Sequence, residues 1–199
     1  MEEFREFNTP EEVAKWVSIS FSDTVIQHFD LNKQPLLSPV SLYTGSISGK
    51  INASLRRGEL SNSFSHFEGL QYDLCQNTIP ENIAVWRYIT FQEMFLLWRK
   101  TAFGRTYVNP AFVSTTLLRE HFSGQARSNG IVIRIDVPKD TPGAYITELN
   151  NAAIAEYEVL FPHHLKFKRT GTFTYEIIPE LPADKYRGEY LDKFCYDKP

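Results

Sequence analysis

Glu156 and Glu158 sit two residues apart in Ala155-Glu156-Tyr157-Glu158-Val159-Leu160-Phe161, an otherwise apolar run. Read as a strand, the segment points both carboxylates to one face, with Cα atoms roughly 6–7 Å apart. At that spacing two acids can act on neighbouring atoms of one reaction, although a polar edge-strand face that deters aggregation would also account for them. Arg87 lies among aromatics in Val85-Trp86-Arg87-Tyr88-Ile89. Its planar, permanently charged fork suits a diphosphate; a surface arginine with its stem on Trp86 is the plainer reading. Ser114, Thr115 and Thr116 form a hydroxyl cluster in Phe112-Val113-Ser114-Thr115-Thr116. Such a cluster can orient a carboxylate or an amide, or close a turn ahead of Leu117.

The elements that must carry these groups follow from capping signals and periodicity. Thr9-Pro10-Glu11-Glu12 starts a helix with a capping box, and Val13, Trp16, Val17 and Phe21 extend it at helical spacing to about residue 29. Ile47 to Arg57 reads as a second helix with Gly58 as its stop, and Thr90-Phe91-Gln92-Glu93 opens a third that runs to about Lys100. Strands are expected at Val85–Ile89, Ala111–Thr116, Ile131–Val137, Ile154–Phe161 and Phe173–Ile178. Helices first and strands later predict an α+β fold. One domain is expected over 1–199, with a core from about 9 to 180 and a polar tail from about 183.

Composition narrows the function classes. The 199 residues are 42% hydrophobic and 14% aromatic, enough for a globular core without disulfides or metals. A net charge of −3 gives no footprint for nucleic acid. Cys75 and Cys195 form no metal-ligand spacing, no run of about 18 apolar residues predicts a membrane span, and the acidic start Met1-Glu2-Glu3 lacks a signal core. The expectation is a protein made in the cytosol, which leaves injection or export into a target cell open. Gly45 to Lys50 lacks phosphate-loop spacing, and His163-His164 read as turn residues that face opposite ways. Lys166, Lys168 and Arg169 read as a solvated basic strand face.

In order and context, Trp86-Arg87, then Phe112 to Thr116, then Glu156-Tyr157-Glu158-Val159-Leu160 resemble the bacterial-exotoxin-type mono-ADP-ribosyltransferases of the Arg-Ser-Glu class. The similarity takes in Leu42-Tyr43-Thr44-Gly45, Ile51 to Arg56 and Ile131 to Pro138, and runs from about residue 9 to 178. Thr116 stands where many members carry serine, Trp86 where tyrosine is commoner, and Ala153 where several arginine-modifying toxins carry an aromatic.

The resemblance implies N-terminal helices packed on two small mixed or antiparallel sheets that form an NAD cleft. It implies NAD as a substrate, no metal, and cleavage of the nicotinamide–ribose bond through an oxocarbenium-like transition state of the glycoside-hydrolysis type. Glu158 would stabilise that cation and accept from the ribose 2′-hydroxyl. Ser114 would hold Glu158, Thr115 would support the nicotinamide side, Thr116 would belong to the same NAD-binding set, and Arg87 would bind phosphate or ribose oxygens. Phe122 is the candidate for stacking on nicotinamide and Arg127 for a second phosphate contact. A glutamate at the Glu156 position goes, in this family, with arginine acceptors. A guanidinium enters still protonated, so a carboxylate must hold it and take its proton. The implied partners are NAD, a protein target modified on arginine, and a separate delivery or carrier protein. An NAD glycohydrolase without a protein acceptor, or an inactive binding module of the same fold, are the alternatives.

Overall fold

The computed structural model describes residues 3–20, 43, 48–58, 70–71, 74–122, 129–146 and 157–179. Three helices of ten or more residues fall among them: α1 (Pro10–Ser20), α2 (Ser48–Arg57) and α3 (Phe91–Lys100). In α1 the Thr9 hydroxyl accepts from the Glu12 amide at 3.3 Å, and the Glu12 carboxylate accepts from the Asn8 amide at 2.8 Å. Two orphan amides are thereby satisfied at the helix start. α1 buries Val13, Trp16 and Val17, and α2 buries Ile51 and Leu55. Gly58 ends α2 in the left-handed region, with φ of 70°. The stretch 21–29, expected to continue the first helix, and the tail from 183 lie outside the described residues.

Eight strands follow: β1 (Ile83–Thr90), β2 (Thr106–Val108), β3 (Val113–Thr116), β4 (Gly130–Val137), β5 (Ala144–Tyr145), β6 (Glu158–Phe161), β7 (Lys166–Arg169) and β8 (Thr174–Ile178). They join in the order β2-β7-β8-β4-β1-β3-β6-β5. The β4–β8 pair is parallel and the other pairs are antiparallel.

The expectation of two sheets is corrected here: the strands form one mixed sheet of eight. The reason is a narrow seam. β1 pairs with β4 along its whole length, yet meets β3 at one register pair, Trp86↔Thr116. On one side of that pair, Arg5 bridges Ile83 and Phe7 bridges Leu118, so the N-terminal segment fills the gap between β1 and the end of β3. On the other side the strands part. Five strands and three strands are thus joined at one register pair, so the two sheets that the resemblance implies are continuous here.

The strand expected over Ile154–Phe161 begins at Glu158. Tyr157 has φ of 48°, outside the extended region, so face alternation does not carry back across it. The argument that Glu156 and Glu158 share a strand face therefore has no support in the backbone. Residues 154–156 themselves lie outside the described residues.

One apolar cluster binds these elements. It runs from Phe7, Val13 and Trp16 through Ile83, Val85 and Ile89 to Val159, Leu160 and Phe161. Strand β4 shows the expected alternation, with Ile133, Ile135 and Val137 buried and Arg134 and Asp136 half-buried on the other face. No helix among the described residues is long and apolar enough to cross a membrane.

Candidate active site

The site lies where β1 and β3 part. Arg87 follows Trp86, the seam residue, and its guanidinium fills the opening. Nη1 donates to the Ser114 carbonyl at 2.7 Å, and Nη2 lies 3.5 Å from Glu93 Oε1. Glu93 occupies the capping-box position of α3, where Thr90 accepts from its amide at 3.2 Å. Its carboxylate turns to Arg87, and to Arg56 of α2 at 3.7 Å. A residue that reads from sequence as a helix-start signal is thus the acid of a two-arginine cluster.

β3 and β6 set the hydroxyls and the glutamate. Ser114 pairs with Leu160, Thr115 with Val159 and Thr116 with Glu158. Paired residues share a face, so Ser114, Thr116 and Glu158 project together and Thr115 projects oppositely. Thr115 is buried and donates to the Val159 carbonyl at 2.8 Å, which ties β3 to β6. Thr116 accepts from the Leu118 amide at 3.3 Å, forming the local turn that its sequence context also suggested. Glu158 is 5% exposed, and its carbonyl accepts from the Ile146 amide at 3.0 Å.

Tyr43 and Asn52 complete the arrangement, and neither was singled out as a site residue from sequence. Asn52 Nδ2 donates to the Tyr43 hydroxyl at 2.8 Å, and Asn52 Oδ1 accepts from the Phe112 amide at 3.1 Å. α2 is thereby bolted to the residue that leads into Ser114. The Tyr43 ring packs edge-on against Phe112, with centroids 5.2 Å apart. Burial pushes the Tyr43 phenol up to about 12; the Asn52 hydrogen bond and the charge of Arg87 act downward, Glu158 acts upward, and Arg56 downward. The phenol therefore stays neutral and shares its surroundings with Arg87, Arg56 and Glu158. The available sequence signal was Asn52 and Arg56 at i and i+4 on a helix whose core residues are Ile51 and Leu55.

A cleft with about 460 Å³ of atom-free space, open solvent included, lies beside Arg87. Arg56, Glu93, Tyr107 and Asn109 line its polar part, and Ile133, Ile135 and Phe167 its apolar floor. Its walls include Arg87 and Val113, whereas Ser114 and Glu158 meet Arg87 through the Ser114 carbonyl and the surroundings of Tyr43.

Of the expected residues, Ser114, Thr116 and Glu158 share one face beside the seam, Thr115 lies on the other face, and Arg87 reaches the Ser114 carbonyl from β1. Phe122 ends the short 3-10 turn Arg119–Phe122; its side chain, Arg127 and Glu156 lie outside the described residues. The expectation that His163 and His164 face apart is overturned. His164 has φ of 68°, the ring centroids are 4.6 Å apart, and the two Nδ1 atoms are in contact. The described residues hold no group of three or more His, Cys, Asp or Glu able to bind a metal ion.

A sequence profile of the ADP-ribosyltransferase exoenzyme family matches residues 37–177. The chain belongs to that family. Solved structures agree on the fold of this exoenzyme. The C3 exoenzyme of Clostridium limosum superposes with a TM-score of 0.64 at 18% identity, over 88% of this chain and 96% of that one. C3stau2 from S. aureus, solved with NAD, gives 0.63 at 18% identity over 88% and 97%. The ADP-ribosylating toxin BECa of a binary enterotoxin of C. perfringens, solved with NADH, gives 0.67 at 17% identity, over 89% of this chain and 50% of that one. At these identities the likeness is one of fold. Among curated proteins none matches the chain.

Proposed function

We propose that the exoenzyme is a mono-ADP-ribosyltransferase that cleaves the nicotinamide–ribose bond of NAD and transfers ADP-ribose to an arginine of a target protein. The observation that carries this reading is the hydrogen bond from Arg87 to the Ser114 carbonyl at the parted seam, beside a Ser114 and Glu158 that share one strand face. NAD in C3stau2 and NADH in BECa support a nicotinamide dinucleotide as the ligand of this fold.

Arg87 fits the diphosphate or the adjoining ribose, because its fork is fixed in direction by Glu93 and the Ser114 carbonyl. Glu158 lies away from water, where a carboxylate stabilises a developing oxocarbenium ion far better than in solvent. The C–N bond breaks with its electron pair going to the nicotinamide ring, which leaves neutral. Ser114 shares the Glu158 face and serves to hold that carboxylate. Thr115 and Thr116 brace this end of the site, and Phe122 and Arg127 remain the candidates for the nicotinamide and the second phosphate. The acceptor guanidinium then forms the new C–N bond and gives its proton to Glu156. A carboxylate there favours arginine because it can hold the guanidinium bidentately before accepting the proton.

BECa, the toxin of a binary system, is the precedent for a separate carrier protein delivering this chain. The test is labelled NAD with a cell lysate, a Glu158→Ala control, and mapping of the modified residue by fragmentation. ADP-ribose on arginine, absent with the control, is the expected result. Label confined to asparagine or cysteine would overturn the acceptor assignment.

A further inference from the structure

Helix α3 has two working faces. Its inner face, with Glu93, Leu96 and Leu97, lines the cleft. The outer face is unusual: it carries Phe91 and Phe95, and none of the helix's ten residues is buried. Phe91 is 52% exposed and Phe95 65% exposed, one turn apart. Beyond the helix, Phe103 is 96% exposed and held at φ of 57°, where a bulky side chain is rarely placed. Trp98 carries the surface onto the next hairpin: it stacks on Phe173, with centroids 6.0 Å apart, and lies under the Arg169 guanidinium at 5.9 Å.

The charge on this corner opposes that of the whole chain. The protein has a net charge of −3, but from Met94 to Arg119 and from Val159 to Tyr175 it has no Asp or Glu. Arg99, Lys100 and Arg105 are exposed there, with Arg169 half-buried over Trp98. β2 and β7 bring these segments together, with Tyr107 opposite Phe167 on the cleft side; Lys166 and Lys168 alternate with Phe167 and project from the other face of the sheet. Glu93, the acid of α3, is turned into the cleft on Arg87 and Arg56.

Exposed phenylalanines in a segment whose charges are all cationic match an interfacial bilayer contact: the rings enter the headgroup region and the cations stay over lipid phosphates. A protein-binding face would be poorer in lysine and richer in tyrosine. We propose that the outer face of α3, with Phe103 and the adjoining Arg99, Lys100, Arg105 and Arg169, docks the enzyme on an anionic lipid surface. The cleft lies on the opposite face of the same helix, so docking leaves it open. The proposal stands apart from the NAD chemistry, because vesicle binding requires no turnover.

The test is co-sedimentation of the whole protein with phosphatidylcholine vesicles prepared with and without phosphatidylserine. The wild type should sediment with the phosphatidylserine vesicles and be released by high salt, since screening weakens exposed charges. Lys100→Gln with Arg105→Gln should weaken binding by roughly thirtyfold. Phe95→Ser with Phe103→Ser should weaken binding at low salt while leaving its salt dependence as in the wild type. Both variants should keep the wild-type melting temperature and nicotinamide release. Absence of binding to phosphatidylserine vesicles, or binding unchanged in both variants, would overturn the proposal. So would variants that lose labelling of a protein acceptor, but not of a small guanidine, with no vesicle binding in the wild type; that result would make the face a protein dock.

Discussion

Burial of His163 under Phe112 puts a titratable ring where its cation has little solvent. Burial and the neighbouring His164 push its pKa down from 6.5 to about 3, and burial lowers His164 as well. The unfolded chain therefore binds a proton near pH 6.5 that the native state refuses until about pH 3. Stability is unaffected by His163 above that upper value and falls steadily as pH drops through the window, by about 2 kcal/mol at pH 5. Urea midpoints of wild type and His163→Phe across this range check the sign: the substitution should flatten the acid limb. Asn52 makes a second residue-scale prediction. Asn52→Ala leaves the Phe112 amide and the Tyr43 hydroxyl without their partner, at a cost of about 1–3 kcal/mol for each group left unsatisfied. Thermal melting should show that loss, and a raised KM for NAD should accompany it because α2 no longer holds the entry to β3.

At the scale of elements, β1 and β4 stay paired as far as Thr90↔Gly130. A methyl group on Gly130 would run into the Ile89 carbonyl and the Tyr88 ring. Gly130→Ala should therefore cost about 1–3 kcal/mol, the range for overpacking, and a falling melting temperature is the readout. Long periodic elements were legible in sequence: α2 with its Gly58 stop, α3 with its Thr90 cap, and β1, β4 and β8 within two residues. Strands β2 and β5, of three and two residues, were not, because they exist only by pairing with β7 and β6. The start of β6 was misplaced because an apolar run carries no mark of the left-handed backbone at Tyr157. Within the site, Arg87, Ser114 and Glu158 were picked out by the order and spacing that resemble the family's motifs, since each alone reads as a surface or turn residue. Tyr43, Asn52 and Glu93 were not, because each passes for a core ring, a helix surface or a cap until tertiary contacts give it partners.

At the scale of the molecule, one register pair joins the five-stranded and three-stranded parts of the sheet, and the N-terminal segment shores it up. Phe7 is 3% exposed, packs on Trp16 at 5.0 Å between ring centroids, and bridges to Leu118. Phe7→Ala should cost about 3–5 kcal/mol and lower turnover as well as melting temperature, because the strand holding Ser114 loses its support. A fall in melting temperature with unchanged turnover at a permissive temperature would show that the seam does not position the site. The division of labour between the two glutamates is the central claim for the whole enzyme, and one paired measurement tests it most directly. Nicotinamide release and ADP-ribose transfer to a guanidine acceptor are followed side by side in wild type, Glu158→Gln and Glu156→Gln. Loss of both activities in Glu158→Gln, and loss of transfer with release retained in Glu156→Gln, is the predicted result. Full nicotinamide release by Glu158→Gln would contradict it.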